Sequence, residues 1–397
     1  MRRRADVWIT GIGAHTAAGP GAASLREALS GCASRAAPAA DLGGHWVARA
    51  PDPQVGRLDR RLDRSSQFFL VAAREAWRNA GLDRTPIDPD RIAVIDGSSL
   101  GPSGDLLAAE RNQAREGFPE RVHPAFLLRM MFGAGGAVFA QEVGAHGAVF
   151  ALSAGSTSGM MTVLEGWSKI RSGLADVVVA GGADAPLDPE IVAVFRAAGI
   201  LAPAAAGLPC RPFDVARTGT MLGEGAGVVV LERAEHAYRR GVAPLAVLEG
   251  VGVSGEDGSM LAPDPSGTGI ARAARHALGH AGVRRVGWIK AHGTATRVND
   301  LAECRALAGS MTRAPFTSMK PLLGHCLGAS GAVELVAAVI ALGEQFIPPT
   351  LGTTHVDPSL GKRRIALEPE RLDGSVALLL SQSLGGRCAA LALARAS

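Results

Sequence analysis

The sequence predicts a layered α/β protein of two similar halves, with central helices held between sheets. Three observations predict it. Strand-like apolar runs alternate with amphipathic segments throughout the 397 residues. Two runs, Asp176–Gly182 and Gly223–Leu231, are apolar without alternation, as in strands buried on both faces. The same order then resumes after a charged stretch, Glu232–Gly241, which divides residues 1–235 from 236–397.

In order, Val7–Thr10 reads as a buried strand turning at Gly11 and Gly13, and Ser24–Leu29 as a short helix. Asp52–Arg64 is charged and contains proline, as a surface loop would be. Ser65–Ala80 has helical spacing (Phe68, Phe69, Ala72, Ala76) and stops at Gly81. Arg91–Asp96 is a strand, and Gly101–Gly117 is weakly patterned, suiting a lid or interface element. A helix ending near Gly144 leads to the strand Ala148–Leu152 and an amphipathic segment, Met161–Ser172. In the second half Leu245–Val253, Val286–Ala291, Ser375–Leu380 and Ala389–Leu393 read as strands. Thr268–Leu278 and the nearly all-apolar Ala332–Leu342 read as helices.

Composition excludes several classes. The net charge of +4 is carried by arginine, since lysine occurs only at Lys169, Lys290, Lys320 and Lys362. No basic block or aromatic ladder suggests nucleic-acid binding. Five scattered cysteines (Cys32, Cys210, Cys304, Cys326, Cys388) form neither a disulfide framework nor a metal-ligand spacing, which suits a reduced cytoplasmic compartment. Met1-Arg2-Arg3-Arg4 faintly mimics a signal peptide, but no leader-like apolar core follows, and no uninterrupted apolar run reaches membrane-spanning length.

Three segments carry the chemistry. Leu152–Met160 is a small-residue turn between a strand and a helix, the geometry of a nucleophile elbow, with Ser156 at its apex. Such a turn can also merely cap a helix. His292 lies in Ala291-His292-Gly293-Thr294-Ala295-Thr296, just past a strand. His325 lies in a glycine-rich turn five residues after the rare Lys320, and Glu334 follows on the apolar helix. A single histidine in such a place is usually structural; two in glycine-rich turns point to a site where backbone approaches a ligand.

These residues resemble the β-ketoacyl synthases (ketosynthases) of the thiolase superfamily over essentially the whole chain from Val7. His292 matches the AHGTxT histidine, trailed by Asn299, Asp300 and Glu303. Lys320, His325, Gly328 and Glu334 match KxxxGHxxGAxGxxE, and Val179–Gly182 and Gly223–Gly227 match two further signatures. The resemblance implies a thiolase fold, a five-layered α-β-α-β-α sandwich. It implies an acyl chain loaded from an acidic acyl-carrier protein, then decarboxylation of malonyl-carrier protein and attack of the enolate on the acyl thioester. His292 and His325 would donate to the enolate oxygen, Lys320 would position the second histidine, and Glu334 would orient Lys320. No cofactor is implied beyond the phosphopantetheine that arrives on the carrier protein. The family pairs its chains, so a homodimer or a heterodimer with a paralogue is expected, through the strand around Val177–Ala180. Arg57, Arg60, Arg61, Arg64 and Arg129 are candidates for carrier docking.

The sequence departs from the family in places that matter. Ser156 stands where the nucleophilic cysteine belongs, and a hydroxyl needs a general base that a donor pair of histidines poorly supplies. Cys326 stands beside His325 as an alternative thiol. The RDGF loop reads Arg217-Thr218-Gly219-Thr220. The SFGFGG loop, source of a gate and an oxyanion N–H, reads Ser381-Gln382-Ser383-Leu384-Gly385-Gly386, with Leu384 for the gating Phe and Ser383 for a swinging Gly. Three readings follow. The first is an acyltransferase of the 3-oxoacyl-carrier-protein synthase type, its elongation limited by Ser156, in which a laboratory Cys→Ser change would explain Ser156 but not the gates. The second is a non-elongating partner resembling a chain-length factor. The third is a thiolase, for which Cys388 lies in roughly the right region but lacks the flanking glycine pattern.

Overall fold

Among the described residues, besides the two-residue strand Gly19–Pro20 that pairs with the first, five strands build the first half of the main sheet: β1 (Val7–Thr16), β2 (Ile92–Gly97), β3 (Val149–Leu152), β4 (Val177–Asp184) and β5 (Gly225–Arg233). Five build the second: β6 (Ala246–Gly255), β7 (Trp288–Lys290), β8 (Phe316–Thr317), β9 (Val376–Ser383) and β10 (Arg387–Arg395). The computed structural model describes residues 6–116, 124–204, 207–307 and 313–396; the run Met1–Arg4 and Gly117 lie outside them. The strand order is β3-β2-β4-β5-β1 in one half and β8-β7-β9-β10-β6 in the other. In each, the second strand of the half runs parallel to both neighbours, and the remaining pairings are antiparallel. The topology is therefore repeated. The halves meet where Val7–Ile9 pairs with Ala246–Leu248.

Side-chain alternation sorts the layers. In β4, Val177 and Val179 pack with helices α1 (Arg64–Asn79) and α2 (Ala134–Val143). Val178 and Ala180 face the other way, onto α3 (Ser158–Arg171). In β9, Leu378 and Leu380 meet α4 (Thr268–Ala281) and α5 (Arg297–Ala306), while Ala377 and Leu379 face the middle layer, which holds α6 (Ser330–Glu344). This gives helix, sheet, paired central helices, sheet, helix, as expected. By length and composition the segment Leu327–Glu344 could cross a membrane, but 89% of it is buried within the protein.

Two expectations need correction, and a segment the sequence left without an element proves helical. β1 does not turn at Gly11 and Gly13 but runs on to Thr16 through a bulge. Those glycines are there because a Cβ at either would lie within 2.2 Å of the Ala76 or Ala72 carbonyl of α1. Gly101–Gly117 is largely the helix Ser103–Glu116. Val177–Ala180 has neighbours on both sides, β2 and β5, so it offers no edge for a second chain. The open edge of the first half is β3, where Val149 and Phe150 are exposed.

Candidate active site

The turn after β3 is held by its own small side chains. The Ser158 hydroxyl donates to the carbonyls of Gly155 (2.6 Å) and Ser98 (3.1 Å) and accepts the Ala154 N–H (2.9 Å); Thr157 Oγ1 donates to the Ala154 carbonyl (2.7 Å). Gly155 takes the left-handed turn at φ 59°, so the strained step falls on a glycine rather than on Ser156. Ser156 then stands at the N-terminal end of α3, where the helix dipole favours negative charge. α3 crosses α6 closely: a Cβ at Gly159 would lie 2.8 Å from Ala332 N. That crossing brings the start of α3 beside the turn that precedes α6.

His325 sits in this turn, its backbone fixed by bonds with Met221 and Gly223. Its Nε2 lies 3.2 Å from Ser156 Oγ and its Nδ1 lies 2.9 Å from Ser330 Oγ. His292 follows β7, and the Glu303 carboxylate accepts the N–H groups of His292 and Gly293, both at 2.6 Å, while Asn299 steadies Glu303 at 3.0 Å. The two imidazoles stand edge to face with centroids 5.3 Å apart. Lys320 Nζ meets Glu334 Oε1 at 2.7 Å, and Lys290 Nζ meets Glu334 Oε2 and, at 2.7 Å, the Leu380 carbonyl.

Burial sets the charge states. It pushes both imidazoles well below the ordinary histidine range, and the Lys320 and Lys290 ammonium groups add to the effect, so both rings are neutral at pH 7. Burial alone would raise the Glu334 carboxyl, but the two lysines outweigh it and hold the group below its usual value. The same burial lowers Lys290.

Ser156, His292, His325, Ser383 and Leu384 line one cavity of about 540 Å³. Phe195 and Ile200 make part of its wall apolar; Thr294, Thr296, Arg297 and Arg387 are polar lining. Leu384 is partly exposed, and Gly385 donates its N–H to the Met260 carbonyl at 3.1 Å instead of lining the cavity. Thr220 departs from expectation: it lies in a separate small pocket with His45 and Leu222, and Thr218 reaches the main cavity instead. Cys326 is buried, with Sγ directed to the Leu323 carbonyl, and burial drives its thiol far up; it cannot serve as a thiolate in the cavity. Cys388 is buried against Glu256. Arg64 is engaged by Asp52 and Glu224. Lys290 and Ser330 escaped the sequence reading. Lys290 left a signal, as one of four lysines, two residues before His292; Ser330 left none.

A repeated α/β sandwich whose two halves bring an elbow and two turn-borne histidines to one cavity is a thiolase fold. A family model described as "Beta-ketoacyl synthase, N-terminal domain" matches residues 4–237, and its C-terminal counterpart matches residues 245–354. The chain belongs to the β-ketoacyl synthase family. It is 33% identical over 339 residues to 3-oxoacyl-[acyl-carrier-protein] synthase 2 of Staphylococcus aureus, covering 84% of both chains. Among solved structures it matches the ishigamide ketosynthase/chain length factor with TM-score 0.90 and 30% identity, covering 100% of both chains. It also matches a type II polyketide ketosynthase solved with its acyl-carrier protein and a bound hexaketide (TM-score 0.89, 26% identity, 100% of both chains).

Proposed function

We propose that this protein works in a type II fatty acid or polyketide synthase on thioesters carried by an acyl-carrier protein. The observation that carries the reading is the neutral His292–His325 pair in one cavity with Ser156. A neutral imidazole has one N–H. In the tautomer in which the Ser330 hydroxyl donates to Nδ1, His325 carries its proton on Nε2, facing the cavity. His292 supplies the second donor, and together they stabilise the oxygen of an enolate formed as a malonyl thioester loses carbon dioxide. Lys320 and Lys290, joined through Glu334, favour negative charge nearby. Ser156 acylates slowly, because neutral His325 in this tautomer donates rather than accepts.

A second reading, a partner subunit resembling a chain-length factor, is favoured by Ser156 at the nucleophile position and by Ser383 and Leu384 in the gating loop, and β3, with its exposed Val149 and Phe150, offers such a subunit an open edge. A second ketosynthase-type chain would pair there. For the carrier protein, Arg57, Arg60 and Arg61 lie on one exposed segment, and Arg129 touches it through the Arg60 carbonyl at 3.3 Å. Arg64 drops out, being committed to Glu224.

Incubation with malonyl-carrier protein tests the two readings. Carbon dioxide release that is lost in His292→Ala and His325→Ala supports the first. No release from the isolated chain, with release or condensation appearing only beside a paralogue, supports the second.

A further inference from the structure

Ser381 and Ser383 lie on the same face of β9 as Ala377 and Leu379, the face turned to the central layer. At the end of the strand that face meets the elbow. Ser381 Oγ donates to the Ser156 carbonyl at 3.2 Å, and Ser383 Oγ accepts the Ser156 N–H at 3.0 Å. Both ends of the Ser156 peptide frame are thus held by one strand. Ser383 is buried, and its Oγ lies 2.1 Å from where a Cβ on Gly155 would be, directly against the turn. A backbone N–H can only donate. Whatever oxygen sits 3.0 Å away on its axis occupies the place an acyl oxygen would take.

We propose that the Ser383 hydroxyl is a resident occupant of the acyl-oxyanion position, standing in for the carbonyl oxygen of a thioester and suppressing acyl transfer at residue 156. The inference rests on the reading of Ser156 as the acyl-acceptor position. It separates two half-reactions. The imidazole pair remains open to the cavity, whereas an incoming acyl group must displace a hydroxyl already bonded to the amide it needs. Suppression is therefore built into β9 and is independent of the nucleophile's identity.

The experiment places a good nucleophile at the elbow and varies only the occupant. S156C is compared with S156C/S383A and S156C/S383G. Acylation by hexanoyl-S-N-acetylcysteamine is followed by intact mass: the new S–C bond forms, the acyl–S bond of the thioester breaks, and the proton of the attacking thiol leaves with N-acetylcysteamine. Alkylation by iodoacetamide, which builds no oxyanion, reports access and folding in the same chains. One oxyanion donor is worth about 10²–10³ in rate, so the two double variants are expected to acylate about 10–100-fold faster than S156C. Their alkylation rates stay within about twofold. S383A separates the occupant from glycine's backbone freedom. Equal acylation rates in all three chains overturn the proposal, as does a gain in S383G without one in S383A. An S156C chain that resists alkylation overturns both the proposal and the reading of Ser156 on which it rests; normal alkylation with unchanged acylation overturns the proposal alone.

Discussion

At the scale of single residues, Glu334 balances the charge beneath the imidazoles. It is one carboxylate between two fully buried lysines. Glu334→Gln keeps the shape and leaves two ammonium groups without their counter-ion, a change that costs about 3–5 kcal/mol. Chemical denaturation should show that loss, while Lys290→Met, which leaves one lysine to one glutamate, should lose less. The two imidazoles make a second prediction. Each binds its proton less readily folded than unfolded, so stability is complete above the ordinary histidine value of about 6.5 and is lost as pH falls below it. Asp96, pushed up to about 8 by burial, acts with the opposite sign: the folded chain keeps a proton that the unfolded chain releases above pH ~4. The difference between wild type and His292→Gln/His325→Gln isolates the histidine part. Unfolding free energies measured from pH 7.5 to 5 should fall less steeply in the double variant. Ser156, His292 and His325 were legible in sequence because each lies in a short glycine-flanked pattern, and Lys320 because it is one of only four lysines. The resemblance placed Ser383 in the gating loop, but its hydrogen bond to Ser156 was not legible, because 227 residues separate the partners and the side chain's direction depends on its place in the strand.

Among elements, the α3–α6 crossing fixes the distance between the elbow and His325. Gly159 is helical and without unusual φ, yet a Cβ there meets the backbone of Ala332 at 2.8 Å and the Gly328 carbonyl at 3.0 Å. Gly159→Ala should gain the usual helix preference and still lose about 1–3 kcal/mol, because the central helices must separate. A lower melting temperature, together with slower decarboxylation than at the same temperature in wild type, is the expected result. Long apolar strands and strongly patterned helices were readable because one face of each is sorted by burial. The helices Ser103–Glu116 and Arg297–Ala306 were missed: both carry many polar residues. In the second, Asn299, Asp300 and Glu303 are buried to hold neighbouring turns rather than to fill a core. Gly11 and Gly13 misled in the opposite way, reading as a turn when they are needed for contact between strand and helix.

For the whole molecule, the position of a strand in its sheet decides what it can join. β4 is paired on both edges, so the strand that the family resemblance implied for association is closed to a second chain, whereas β3 has a free edge. The exposed β3 edge predicts that Phe150→Lys weakens pairing with a second chain of this fold. Light scattering after size-exclusion chromatography should show a shift toward monomer, with the catalytic cavity unchanged. An unchanged mass at all concentrations would remove β3 as the contact.

The repeat has a further effect, on how the chain is made. β1 is made before the other strands, but its long antiparallel partner, β5, begins only at Gly225; β6 likewise waits for β10. Neither half can close until its last strand has been synthesised, so each spends most of its translation with a strand lacking its long antiparallel partner, a period in which a chaperone would have the most to protect.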